Sequence, residues 1–266
     1  MVVMAMATAM TNNFRALNRR AQICLKGEGI LAFLHNILTC NVIGLKTGQT
    51  VYGALLSPQG KILHDMFITN VDDVIWINCA ASGLDDLVAK LKLYRLRAKF
   101  EIEAMPDDTL SHMQDLRHGE LANLVSFSEH YEQARFRLGI ANAAEIGSGK
   151  LFPHEANFDQ MGAVNFEKGC YIGQEVVSRM HHRSTARNRI LPLTFENDPP
   201  TDDLSITAGE ATIGEILGRN GMLGLGLIRL DRLAEATAPL LNAGMGVHVK
   251  KPSWIKYDVT IPAVAA

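Results

Sequence analysis

The apolar positions of this chain follow two spacings, and the switches between them mark out its elements. Residues 21–25, AQICL, form a short apolar run that reads as a strand. Gly27 and Gly29 break it, and ILAFLHNIL then spaces its apolar residues as a helix does. From Thr50 the runs become short and β-like. TVYGALLS and KILHDMFIT are joined by Pro58-Gln59-Gly60, three turn-type residues, and VIWINCA follows as another strand. The stretch 82–97 predicts a helix. Ser82 can cap it, Asp85 and Asp86 suit the positive end of its dipole, and Leu84, Leu87, Val88 and Leu91 make one apolar stripe. Lys92, Arg95 and Arg97 suit its negative end. KFEIEAM reads as a strand ending at Pro106.

Residues 107–150 are polar and mixed, with a helix predicted over 128–138, Gly139 past its end, and a loop over 141–150. Pro192 and ENDPPTDD, residues 196–203, mark a boundary. Beyond it, ATIGEIL and MLGLGLIRL flank Asn220-Gly221, a hairpin signal in which both turn residues take positive φ. GVHVKK and WIKYDVTI add further β runs, so a small barrel or sandwich of about 70 residues is expected. Strands and helices mix without regular alternation before it, which makes the class α+β.

Composition narrows the picture. The 266 residues are 47% hydrophobic and 20% charged, a globular balance with length enough for two or three cores. A net charge of -2 removes any whole-protein case for nucleic acid or an anionic membrane. Cys24, Cys40, Cys79 and Cys170 lie far apart without a C-x-x-C pair, which argues against a zinc site or a self-contained cluster site. Scattered cysteines read as reduced and intracellular. The start MVVMAMATAM lacks a basic residue, is too short for a secretory signal, and reads as a ragged start. No run approaches the length of a spanning helix. The expected location is the cytoplasm or the equivalent matrix.

Three places could carry chemistry. In KGCYIGQE, residues 168–175, Cys170 stands between Gly169 and Gly173, with Lys168 two residues away and a helix predicted to begin just after. That combination lowers a thiol's pKa and presents it, whereas a lone cysteine is most often a buried, inert hydrophobe; the two readings stand level here. Cys24, Cys40 and Cys79 read as the inert kind. Between Lys168 and Arg189 five basic residues face one acid, with His181 and His182 among them, which describes either a solvated basic face or an anion site. In KILHDMFIT, alternation puts Leu63, Asp65 and Phe67 on one face and His64 on the other, so Asp65 either points into a core or cleft or sits where the strand end frays to solvent. Glu155, in the loop LFPHEANFDQMG, reads first as an exposed acid.

The segment LFPHEANFDQMGAVNFEKGCYIGQEVVSR resembles the signature of the YgfZ family, folate-binding proteins of iron–sulfur cluster maturation related to the T-protein aminomethyltransferase of glycine cleavage. FLHNILTCNVIGL, SPQGKILHDMFI, RFRLGI and GLGLIRLD…GVHVKKPSW extend the resemblance over most of the chain. It implies two α+β subdomains and a terminal β-barrel around a central folate pocket. The folate-binding region would cover 12–190, with 12–48 joining 107–190 around 49–106, and the barrel 191–266. It also implies tetrahydrofolate as ligand, and iron–sulfur assembly proteins and [4Fe–4S] client enzymes as partners. Cys170 would be the functional thiol, with Lys168 tuning it or binding an anion. Asp65, Arg135, Glu155, Asn157 and Tyr171 would line the folate cleft. The chain departs from T-proteins at His64-Asp65, where they have two aspartates, and at Arg137, where they place a pteridine-binding glutamate. An arginine reverses that hydrogen-bond role. The departures favour a maturation factor without turnover over an aminomethyltransferase. A thiol redox protein without folate is a third reading.

Overall fold

A computed structural model describes residues 20–96, 98–105, 117–123, 128–183, 186–198 and 202–264. The apolar start at 1–10, Arg97 and all of 106–116 lie outside these residues. The chain opens with strand β1 (Arg20–Gly27) and helix α1 (Ile30–Ile37). Strands β2 (Thr50–Leu56), β3 (Ile62–Val71) and β4 (Val74–Ala80) follow, as the alternation predicts. A 3-10 turn at Ala81–Gly83 leads into α2 (Leu84–Arg95), which makes no side-chain cap bond, so Ser82 is not the cap expected of it. Strand β5 (Phe100–Met105) ends the first region.

These five strands form one antiparallel sheet in the order β2-β3-β4-β1-β5. Strand β1 pairs with β4 and β5, which fastens the start of the chain into the sheet, while residues 35–40 after α1 bond to the middle of the chain at Ala163, Asn165 and Lys168. Helices α1 and α2 lay Leu34, Leu87 and Leu91 onto one face, against Ile23, Leu25, Met66 and Ile68. The opposite face presents Tyr52, Ala54 and Phe67 to a second core.

The middle of the chain supplies α3 (Gly119–Ala122), α4 (Glu129–Leu138), α5 (Ala143–Ile146) and α6 (Gln174–Arg183). Helix α4 starts at the predicted place because the Ser128 hydroxyl accepts the Tyr131 N–H, and it stops at Gly139. The expected loop at 141–150 holds α5 instead, closed by a reciprocal cap between Asn142 and Glu145.

Strands β6 (Asn188–Phe195), β7 (Ser205–Ala208), β8 (Ala211–Asn220) and β9 (Leu223–Arg229) lead through the short α7 (Leu230–Ala234) to β10 (Leu240–Asn242) and β11 (Met245–Val249). They close a barrel in the order β10-β11-β6-β9-β8-β7, sealed by the β10–β7 pair. Pro192, read as a boundary marker, lies inside β6 opposite Leu225. The β8–β9 turn also differs from expectation: Asn220 ends the strand and pairs with Leu223, and of the two expected turn residues only Gly221 takes positive φ. WIKYDVTI forms no strand; Trp254, Tyr257, Val259 and Ile261 pack on the barrel core as irregular chain. The second core ties the regions together, joining Tyr52 and Phe67 of the sheet, Phe158 and Tyr171 of the middle, and Ile190 and Leu225 of the barrel. Among the described residues no helix is long and apolar enough to cross a membrane.

Candidate functional site

The loop carrying Cys170 is pinned on both sides. On its leading side, Asn165 donates its N–H to the Thr39 carbonyl, and its side chain accepts the N–H groups of Glu167 and Lys168. Thr39 in turn donates its hydroxyl to Ala163 and accepts the Ala54 N–H, so the loop is fastened through it to the sheet. Lys168 reaches across to the end of α1, where its Nζ donates to the carbonyls of His35 and Leu38 (both 2.5 Å) and of Cys40 (3.1 Å). A lysine ammonium has three donor hydrogens and all three have acceptors here. Burial pushes Lys168 down to about 8, so it remains protonated at pH 7. On the trailing side Gly173 has φ +79, and a Cβ there would sit 2.5 Å from the Ser57 carbonyl oxygen in the β2–β3 turn. Only glycine allows that approach.

Between the two anchors Cys170 is exposed, while Cys24, Cys40 and Cys79 are buried. Burial raises the thiol of Cys40 to about 12 and that of Cys79 to about 11, which keeps both inert. The octet therefore presents one thiol. Lys168 bonds three carbonyls, which leaves its ammonium no donor for the expected anion and fastens the loop to the end of α1. Tyr171 turns inward and is buried; its hydroxyl has no partner among the described residues, and burial raises it to about 12.

Asp65 is buried, 2% exposed, so it points into a core or cleft rather than sitting at a frayed end. Its carboxylate accepts the Tyr52 hydroxyl at 3.0 Å and lies 3.8 Å from the Arg20 guanidinium. Arg20 is itself held by Asn78 through its side-chain oxygen (2.6 Å) and carbonyl (2.8 Å). The Arg117 guanidinium stands over the rings of Tyr52 (5.4 Å) and Phe67 (5.8 Å). Asp65 also lines a cavity of about 130 Å³ with His64, Ser82, Gly147 and Ser148. His64 turns the other way and meets Asp86 at 2.7 Å.

The remaining expected cleft residues are spent on internal bonds. Arg135 is fully buried and pairs with Glu132 (2.6 Å) and Glu145 (3.0 Å). Glu155 is not an exposed acid: it is buried and accepts from the Phe152 N–H (2.8 Å) and the Asn188 amide (3.0 Å). Asn157 donates to the Ile190 carbonyl and accepts the Tyr257 hydroxyl, linking the 152–160 loop to the barrel. Arg137, where the resemblance to T-proteins would place a glutamate, faces solvent and pairs with Glu120. Sequence reasoning missed Arg20 and Arg117. Arg20 stands at the mouth of the first strand, and no local signal marks Arg117.

Comparison with known proteins fits this geometry. A solved structure of glycine cleavage system aminomethyltransferase T from Bartonella henselae superposes with a TM-score of 0.69 at 14% identity, covering 90% of this chain and 85% of that one. The fold is the aminomethyltransferase T fold. Residues 187–257 match the family model described as CAF17, C-terminal beta-barrel domain, which spans the barrel strands. Over 86% of its length this chain is 28% identical to the mitochondrial iron-sulfur cluster assembly factor IBA57 homolog of Pyricularia oryzae, covering 75% of that protein. It is 24% identical to the IBA57 of Homo sapiens over 90% of this chain and 84% of the relative. The cytoplasmic expectation is corrected by these relatives, which are mitochondrial by name.

Proposed function

We propose that this chain is an iron–sulfur cluster assembly factor that works through the presented thiol of Cys170. Its similarity to IBA57 proteins along 82–90% of its length carries the reading. The exposure of Cys170 on a loop pinned at both ends supports the thiol's part in it. One thiolate supplies one ligand where a [4Fe–4S] cluster takes four, so the other thiolates come from assembly proteins or client enzymes.

The resemblance of residues 151–179 to the YgfZ signature supports tetrahydrofolate as a ligand. One chemical feature near Asp65 supports it: a buried carboxylate can accept hydrogen bonds from ring N–H groups, as this one accepts the Tyr52 hydroxyl at 3.0 Å. Bound there, tetrahydrofolate would supply a one-carbon carrier; Asp65 would orient its ring.

Cells lacking their own such factor test the reading. Expression of this chain restores the activity of [4Fe–4S] enzymes while leaving cluster-free enzymes unchanged; no restoration rejects it. A tetrahydrofolate titration tests the ligand separately. Saturable binding lost in Asp65→Asn supports it, and absence of binding removes folate without touching the assembly role.

A further inference from the structure

A second cavity, about 410 Å³, opens between the 154–160 loop, the end of α6 and the irregular chain after the barrel. That volume falls within the roughly 300–1,000 Å³ of small-molecule sites. Its lining includes His154, Asp159, His181, Arg189, Lys256 and Tyr257. None of the functional assignments above uses it.

Its wall holds polar atoms with nothing to bond. His154 is 2% exposed, and neither ring nitrogen has a partner among the described residues. The Nε of buried Arg189 is likewise unpartnered. A neutral imidazole has one donor and one acceptor, and Arg Nε–H is a donor. Leaving such a group unmade costs about 1–3 kcal/mol, so interiors keep few of them without a water or ligand to satisfy them. All three atoms belong to residues that line this cavity.

The charges indicate its sign. Asp159 is already neutralised by Arg189, at 2.6 and 3.1 Å, and accepts from Gln160 as well. Lys256 stands exposed at the rim, and His181, stacked on Phe166 at 3.7 Å, closes one side. Asp258, also exposed, is the one opposing charge among the lining residues that no arginine neutralises. The lining charges balance, and the Lys256 ammonium and the Arg189 Nε–H are donors with no acceptor among the described residues.

From these observations we infer that the cavity is a binding site for a small oxyanion, a carboxylate or a phosphate, received by His154, Arg189 and Lys256. The test is a titration of the full chain with inorganic phosphate and, in a separate arm, with malonate, at fixed ionic strength. Thermal unfolding and the ring-nitrogen NMR signals of His154 are followed. Saturable stabilisation with shifted His154 signals is expected from one probe, and the responding arm identifies the source. Lys256→Ala, at an exposed position, weakens binding about tenfold. His154→Phe removes the response while leaving the unliganded melting temperature unchanged or higher, because neither ring nitrogen has a partner among the described residues. No saturable response in either arm, or wild-type affinity in Lys256→Ala, overturns the site.

Discussion

Replacing Lys168 by methionine keeps the length and apolar stem of the side chain and deletes its ammonium. That ammonium holds three carbonyls at the end of α1, those of His35, Leu38 and Cys40. A hydrogen bond to a charged group contributes about 1.5–3 kcal/mol, and a cation at a helix C-terminus about 0.3–1 kcal/mol. The three bonds share one half-buried charge and water recovers part of the loss, so about 2–4 kcal/mol is expected rather than the full sum. At 1.36 kcal/mol per tenfold, that lowers the folded-to-unfolded ratio roughly 30- to 1,000-fold. Thermal melts and urea titrations of wild type and Lys168→Met measure it. Lys168→Arg separates geometry from charge, because a flat guanidinium cannot point three donors at one tripod of carbonyls. Arg is therefore expected to lose most of what Met loses. A loss in Lys168→Met below about 0.5 kcal/mol, the level of an ordinary surface change, refutes the anchor. A silent Lys168→Arg with a changed Cys170 alkylation rate would instead return Lys168 to the thiol-tuning role expected from the sequence.

The other loop anchor gives a parallel expectation. Gly173→Ala places a methyl 2.5 Å from the Ser57 oxygen at φ +79, and is expected to lower stability by about 1–3 kcal/mol, read by thermal melt; a neutral result means the loop seats otherwise. Arg135→Met strands Glu132 and Glu145 and is expected to cost about 3–5 kcal/mol, which calorimetry checks. Acid sensitivity has a worked sign. Burial, opposed by Asp159 and reinforced by Arg189 and His181, lowers His154 to about 4 from an ordinary 6.5. Between those values the unfolded chain binds the extra proton, so stability rises with pH from about 4 to 6.5 and levels off above, by roughly 2–3 kcal/mol. His35 and His64, also lowered by burial, add to the same limb. Melts across this range should show a shallower limb for His154→Phe; an unchanged slope contradicts the assignment.

What could be read from the sequence was local. Period-2 runs located β2, β3, β4 and β5, and Ser128 with Gly139 bounded α4, because these signals act over a few residues. Alternation also put Asp65 and Phe67 on one face, as found. The sheet order was not legible: β1 inserts between β4 and β5, and long-range pairing leaves no local trace. The same holds for side-chain roles. Lys168 looked like a thiol's neighbour because Cys170 is two residues away, yet its acceptors lie 128–133 residues upstream. Glu155 looked exposed because its loop is polar, yet Asn188, 33 residues on, closes over it. Cys170 itself was legible as an unusual thiol from its glycines, but only the fold decided that it faces outward.

The claim that function runs through that thiol is tested most directly by Cys170→Ala in cells lacking their own factor, with [4Fe–4S] enzyme activity measured beside wild type at matched protein level. An exposed side chain contributes little to stability, so the variant should fold and accumulate normally. The account predicts that it accumulates and fails to restore those activities. Full restoration by Cys170→Ala contradicts it.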